Sequence, residues 1–245
     1  MFAAWLQTIT GFAFALVLMG GIGVLNLIPL PEAAIIASIL TILNGSLVIR
    51  HTWRAIDFKA LQGFMTGNIP GLIIGYFLVM YLASTAITVL QILLGLAILG
   101  SATQMLLRPI ILKERSSDRS FLVTGFFGGI LNGMFSTGGP PVIWQMYRQP
   151  SRGDTIRATL LTLFVINAIL RLGLVLGSSG ISMQVVFSAA GALPLVVLGT
   201  WLALRFPPPL STQMINRLAF GLLFVSGLAL SLPSLFALRM AIHIE

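Results

Sequence analysis

A long apolar stretch of this chain is interrupted by Ser136-Thr137-Gly138-Gly139-Pro140-Pro141. Adjacent glycines and adjacent prolines oppose a continuous helix, because glycine is conformationally free and proline lacks a backbone N–H donor. Lipid cannot hydrogen-bond the backbone groups that such a break releases, so non-helical chain at membrane depth persists only inside protein or beside a water-filled cavity. The break therefore indicates a place where something polar crosses the membrane.

The composition is that of an integral membrane protein. Of the 245 residues, 57% are hydrophobic and 8% are charged, so a soluble globule would expose too much apolar surface. Because a hydrocarbon core needs about 20 apolar residues per helix, the sequence predicts an all-α membrane protein with about eight apolar segments. They lie near 4–29, 33–49, 60–82, 85–107, 120–147, 156–177, 182–206 and 211–232. The N-terminus lacks the basic region and cleavage site of a signal peptide, so we expect segment 1 to be retained.

Residues of the first half recur in the second half in the same order and at a nearly constant offset. Gly11 pairs with Gly133, Asn44 with Asn167, Gly67-x-x-Pro70-x-x-x-x-Gly75 with Gly191-x-x-Pro194-x-x-x-x-Gly199, and Gly95 with Gly221. Internal duplication is typical of secondary transporters, whose substrate sites lie near the membrane midplane between the repeats. We therefore predict a first transmembrane repeat over 1–112, a connecting loop over 113–120 and a second repeat over 121–245.

The basic residues bear on how the two halves are oriented. If all the segments cross the membrane, the halves are parallel, and the arginines that fall on or near the outer side are Arg148, Arg152, Arg157, Arg205 and Arg217. That arrangement violates the positive-inside rule. If segments 1 and 5 are broken or re-entrant, the halves are inverted, both termini lie outside, and only Arg171 and Arg239 lie towards the outside. The sequence favours the inverted repeat, although both segments are long enough to cross outright.

Two glycine-rich breaks, predicted at Gly20-Gly21-Ile22-Gly23 and after Ser136, form the candidate binding site. Unpaired N–H groups at the start of a half-helix favour an anion such as a sulfonate, phosphate or carboxylate. The alternative is that each break is only a kink that shapes packing. The candidate substrate-binding residues are Gly20, Gly21, Asn44, Asn132, Ser136, Thr137, Gly138, Gly139, Gln145, Arg157 and Asn167, and Asn26 is a further polar residue close to the first break.

Several of these polar residues also have structural interpretations. Asn44 and Asn167 occupy equivalent places in the two halves, where a buried amide either joins helices or lines the substrate cavity. Arg157 and Arg171 are costly inside lipid unless they reach the interface. The glycine stripe of segment 3 predicts a close approach of two helices, since small residues drive helix association in lipid; its members are Gly63, Gly67, Gly71 and Gly75.

Other function classes lack the residues that they need. The acidic residues all lie in or beside linkers, which leaves no carboxylate to relay protons at membrane depth; they are Glu32, Asp57, Glu114, Asp118, Asp154 and Glu245. The sequence has no cysteine and no HExxH motif, so we predict no metal site, no cofactor and no enzymatic activity. The net charge of +8 is spread between apolar segments, which argues against nucleic acid as a partner. The expected partners are a small anionic substrate and membrane lipid, and the sequence is compatible with a homo-oligomer.

Two motifs together with the duplicated plan resemble the sulfite exporter TauE/SafE family of membrane permeases. The first motif is Gly11-Phe12-Ala13-Phe14, followed by the Gly20-Gly21 break and Pro31-Glu32-Ala33, and the second is Asn132-Gly133-Met134-Phe135-Ser136-Thr137-Gly138-Gly139-Pro140-Pro141-Val142. The resemblance covers nearly the whole chain. It implies export, or sometimes uptake, of sulfite, sulfoacetate or other organosulfonates across a bacterial plasma (inner) membrane. The alternatives are a cation-coupled importer of a small anion, a passive anion channel and a scaffold that transports nothing.

Overall fold

A computed structural model describes residues 1–25, 27–106, 110–137, 139–178 and 180–206. In the predicted segment 8 it also describes residues 221, 224–225, 227–229 and 231–232. The regular elements in these ranges are all helical, with no strand. They are α1 Phe2–Thr10, α2 Phe14–Leu25, α3 Leu30–Thr52, a 3-10 turn Trp53–Ala55, α4 Phe58–Thr85, α5 Ile87–Leu106, α6 Asp118–Phe135, α7 Gly139–Tyr147, α8 Gly153–Ser178 and α9 Met183–Arg205.

Membrane-length helices form the frame of the bundle. In the described ranges, four helices are long and apolar enough to cross a membrane, namely α3, α4, α8 and α9. The apolar helices α2 and α5 are shorter. The part of segment 8 that the structure describes is helical, and Ser231 of that segment packs against Gly95 of α5. The all-helical membrane bundle that the composition predicts is confirmed.

Segment 5 breaks where the sequence predicts. Helix α6 ends at Phe135, Ser136 takes a left-handed conformation with φ 56°, and α7 begins at Gly139 with φ 67°. Left-handed backbone is rare for a serine, and the amide of Ser136 donates to the Asn132 carbonyl at 2.7 Å. Gly138 lies outside the described residues.

Segment 1 also breaks, but the predicted position at Gly20-Gly21 is wrong. Helix α2 runs unbroken through both glycines, and the break lies at Gly11–Ala13 instead. A glycine inside a helix costs only about 1 kcal/mol relative to alanine, and leaving a helix in lipid costs several kcal/mol per unpaired backbone group. Gly11 has φ 85° and donates its N–H to the Gln7 carbonyl at 2.7 Å, which ends α1 as Ser136 ends α6.

Helices α6 and α7 form a hairpin whose two ends lie on the same face of the bundle. The Ser116 amide donates to Gln149 Oε1 at 3.0 Å, and Gln149 Nε2 donates to Ser116 Oγ at 2.9 Å. The Leu112 amide donates to the Arg148 carbonyl at 2.9 Å. The residues before α6 are thus tied to those after α7, so the two ends of segment 5 lie side by side.

The glycine stripe of α4 packs directly on α6, as predicted. A Cβ added to Gly67, Gly71 or Gly75 would collide with backbone carbonyls of α6, and one added to Gly125, Gly129 or Gly133 would collide with carbonyls of α4. The two backbones therefore touch along several turns, which only glycine allows.

The helix contacts of the two halves correspond. Helix α4 packs against α6 and α8, and α9 packs against α1 and α3. Helices α3 and α8 pack against one another, and Gly45 of α3 lies against the Val165 side chain of α8. The broken segment of each half therefore packs against a membrane-length helix of the other half: α6 packs against α4, and α1 packs against α9.

Candidate functional site

Both breaks line one small cavity in the bundle. Its walls come from the first break and the start of α2, from the second break and α7, and from α3 and α8; the lining residues are Gln7, Phe12, Ala13, Phe14, Ala15, Leu16, Thr41, Ser136, Thr137, Gly139, Ile143 and Phe164. No charged side chain is among these described residues. The cavity volume is about 20 Å³, which accommodates a water-sized group.

The first turns of two half-helices face this cavity. Phe14, Ala15 and Leu16 open α2, and the first intrahelical bond there runs from the Val17 amide to the Ala13 carbonyl at 2.9 Å. The N–H groups before Val17 therefore have no partner within the helix. Helix α7 starts at Gly139, followed by Pro140 and Pro141, which carry no N–H. Two partial positive charges thus point at the same space.

Hydroxyl groups complete the polar lining. Thr41 Oγ1 and Thr137 Oγ1 are buried and make no hydrogen bond within the described part of the chain. Ser136 Oγ is already paired, since it lies 2.8 Å from Ser38 Oγ. An unpaired buried hydroxyl costs about 1–3 kcal/mol, so the two threonines leave donors available for a ligand.

Asn44 joins helices and does not itself line the cavity. Its Nδ2 donates to Gln7 Oε1 at 2.5 Å, and its Oδ1 accepts from Thr200 Oγ1 and, at 3.4 Å, from Thr8 Oγ1. These bonds connect α3 with α1 and α9. Of the two interpretations of Asn44, the geometry favours helix joining, and its contact with the cavity is indirect, through Gln7.

Arg157 lies beside the first break. A Cβ on Gly11 would come within 2.8 Å of Arg157 Cγ, which is why the chain needs glycine here. The side chain is half-buried, and its Nε has no partner among the described residues. Tyr147 is close by and donates to the Thr10 carbonyl at 3.3 Å.

The remaining candidate residues lie away from the cavity. Asn132, Gln145 and Asn167 are buried, and each has a side-chain oxygen without a hydrogen bond in the described ranges. Gly20 is buried and Gly21 exposed within α2, and neither lines the cavity. Gly138 and Asn26 lie outside the described residues. Of the predicted set, the structure brings Ser136, Thr137 and Gly139 together on the cavity wall.

Sequence reasoning missed Gln7, Thr41 and the first turn of α2 as parts of the lining. The signal for the α2 residues was Gly11, which pairs with Gly133 in the comparison of the two halves. The adjacent glycines Gly20-Gly21 were the stronger local signal, so the break was predicted there. Thr41 carries no local signal, because a threonine inside an apolar helix most often bonds its own backbone.

The family model for the sulfite exporter TauE/SafE matches residues 1–230 of this chain. This chain belongs to the sulfite exporter TauE/SafE family. A protein from Cupriavidus necator described as "Probable sulfite/organosulfonate exporter TauE" is 37% identical over 233 residues, which cover 95% of this chain and 91% of that relative. No solved structure matches.

Membership of the TauE/SafE family and the membrane-length helices make this a multi-pass membrane protein of a transporter family. A bacterial inner membrane fits the bacterial relative. The resemblance that the motifs around Gly11 and Ser136 suggest is therefore confirmed over nearly the whole chain.

Proposed function

We propose that this protein exports small sulfur-containing anions, sulfite or organosulfonates, from the cell. The observation that carries the proposal is the cavity on which the N-termini of α2 and α7 converge. Helix N-termini bind anions through free N–H groups and the helix dipole, without a full protein charge in the membrane. Thr41 and Thr137 supply two hydroxyls that have no partner within the described chain. The family and the relative from Cupriavidus necator support the substrate class.

The orientation follows from the basic residues. Asp57, before α4, accepts from Arg115, before α6, and its amide donates to Thr159 near the start of α8. These contacts gather the basic linkers on one face, whereas the connections around Ala86 and Ser182, at the other ends of α4 and α8, contain no charged residue. The positive-inside rule makes the basic face cytoplasmic. With segment 5 returning to that face, the repeats over 1–112 and 121–245 are inverted.

Transport requires the breaks to separate. Sulfite, with four non-hydrogen atoms, is larger than the water-sized group that a cavity of about 20 Å³ holds. We infer that the two halves move relative to one another and widen the cavity towards one face at a time. The membrane potential favours the exit of an anion from a negative interior by about 2.3 kcal/mol per charge per 100 mV. Export then needs no proton relay and no chemical step, so the proposed role is not enzymatic.

The importer alternative requires a coupling cation, such as Na⁺ at the backbone carbonyls of the broken helices. None of the described residues that line the cavity is acidic. Replacing external sodium by choline should therefore leave the flux unchanged, and a sodium-dependent flux would favour the importer.

The test uses proteoliposomes that contain the purified protein and radiolabelled sulfite or methanesulfonate. We expect saturable flux that follows an imposed membrane potential. Thr137→Val together with Thr41→Val keeps the side-chain shapes and removes both hydroxyls, and it should lower the flux roughly tenfold or more. Thr103→Val is the matched control, because Thr103 is exposed and its hydroxyl bonds the Leu99 carbonyl of its own helix.

Each outcome bears on one part of the proposal. Normal flux in the double threonine variant would remove the cavity as the binding site. Flux that never saturates would favour a passive channel. Absence of flux with every sulfur anion, in a folded protein, would remove the substrate class.

A further inference from the structure

A complete positive charge is buried in the second half of the bundle. Arg171 lies within α8 and is 1% exposed, so it does not reach the membrane interface. Its Nε donates to the Gly133 carbonyl at 3.0 Å. Gly133 belongs to the last turn of α6, which leads directly to the second break at Ser136. The guanidinium is therefore fixed to the base of the break that lines the cavity.

This charge is only partly compensated. In the described part of the chain, no carboxylate forms an ion pair with Arg171. The C-terminus of α6 supplies roughly half a negative charge through its terminal carbonyls. Arg171 Nη1 is buried and, among the described residues, without a hydrogen bond. A buried arginine that keeps a free donor edge is costly in a membrane and marks a functional position.

A side-chain amide without a hydrogen-bond partner lies one helical turn before Arg171 on the same helix. Asn167 is fully buried, and neither its Nδ2 nor its Oδ1 finds a partner within the described residues. Residues four apart on a helix share a face, so Asn167 and Arg171 present donors side by side. Tyr76 of α4 is within electrostatic reach of the guanidinium, and its hydroxyl is paired with Ser178 Oγ at the end of α8.

We propose that Arg171 and Asn167 form an anion-binding position beside the second break, between the cavity and the outer face. This inference rests on the proposed export function and on the orientation that goes with it. Arg171 lies about two helical turns before the end of α8, which is the outer end in that orientation. A doubly charged anion is held here more strongly than a singly charged one, because the position contributes a whole charge and the helix termini contribute only partial ones.

A purely structural role for Arg171 predicts something different. As a cap on α6, the arginine needs one donor, and its loss would weaken the fold without changing which anion the protein prefers. As a ligand for anions, it sets that preference through its charge. The ratio of the two affinities, for a doubly and for a singly charged anion, separates the roles.

The experiment measures the binding of sulfite and of methanesulfonate to the purified full-length protein by titration calorimetry, under argon and at alkaline pH, where sulfite is doubly charged. Arg171→Gln should raise the Kd for sulfite roughly 10- to 100-fold and the Kd for methanesulfonate less, so that the preference for sulfite is lost. Arg171→Lys keeps the charge and should keep the preference. Arg119→Gln removes an exposed arginine and is the matched control.

Equal losses for both anions in Arg171→Gln, or no loss, would overturn the inference. If Arg171→Gln does not fold, Asn167→Leu replaces it. That variant should raise the Kd for both anions roughly tenfold, and wild-type affinities would overturn the position. Failure of the proposed substrate class looks different, because the unmodified protein would then bind neither anion.

Discussion

The side-chain amides of Asn44 and Gln7, beside the first break, are paired with one another, whereas that of Asn167, beside the second break, has no partner in the described part of the chain. Asn44 bonds Gln7, Thr8 and Thr200. Its counterpart Asn167 makes no side-chain hydrogen bond there. Two asparagines that the sequence comparison predicts to be equivalent therefore differ in their hydrogen bonding. We infer that the first half fixes the bundle and that the second half keeps its donors for the anion.

Backbone packing shows that the second break is nevertheless firmly held. Helix α6 lies against α4 through glycines on both helices, whereas α1 meets α9 at Gly199 alone among the glycines that the structure describes on those two helices. The helix that leads to the second break is therefore held by direct contact with the backbone of α4.

Gly129→Leu should have the largest effect of the variants that test this comparison. A Cβ at Gly129 would collide with the Asn68 carbonyl of α4, so the two backbones would have to separate. We expect a loss of at least about 3 kcal/mol of stability, or no folded protein. Gly191→Leu on α9 is the control, since no described atom lies within 4 Å of the added Cβ. The check is the midpoint of thermal unfolding in detergent, and a similar fall in both variants would contradict the difference in packing.

The second break could be predicted from the sequence, and the first could not be placed. Pro140 and Pro141 have no backbone N–H to donate to a preceding turn, so α6 cannot continue through them and a new helix starts at Gly139; the local signal was sufficient. At Gly20-Gly21 the local signal was misleading, because a helix in lipid keeps its hydrogen bonds even through two glycines. At Ala13, φ is 79° in a residue that favours helix, and Gly11 lies against Arg157, a tertiary contact that no local pattern encodes.

The candidate site was predictable in its chemistry more than in its residues. The glycine-rich breaks pointed to partial charges at helix ends, and the described cavity wall carries no charge. The pairing of Asn44 with Gln7 depends on how α1 meets α3, which no local pattern encodes. In the same way, tertiary packing decides that the hydroxyls of Thr41 and Thr137 have no hydrogen-bond partner in the described part of the chain.

Replacing Asn44 or Asn167 by leucine, in separate variants, tests the comparison most directly. Asn44→Leu leaves Gln7 and Thr200 without their buried partner and should lower the stability by about 1–3 kcal/mol. Asn167→Leu removes no hydrogen bond within the described chain and should change the stability by less than about 1 kcal/mol, while it lowers the sulfite flux. Thermal unfolding and proteoliposome flux are measured on both variants. Equal stability losses with equal flux would show that the two amides have the same role.

Substitutions of Asp57 should have the smallest effect on stability, because they test only a partly exposed ion pair between the connecting loop and the first half. Its carboxylate accepts from Arg115 Nη1 at 2.9 Å and from the Ala60 amide at 2.9 Å, where it caps α4. Asp57→Asn keeps the cap and loses the ion pair, a loss of about 0–1 kcal/mol for partly exposed charges. Asp57→Ala loses the cap as well, about 1 kcal/mol more. High salt should reduce the difference in stability between Asp57→Asn and the unmodified protein, because salt screens the ion pair. The difference in stability between Asp57→Asn and Asp57→Ala should stay the same, because salt does not screen the cap. A salt-independent Asp57→Asn effect would mean that the loop is held by geometry, through Ser116 and Gln149, so that the hairpin of α6 and α7 would keep its base even without the charge.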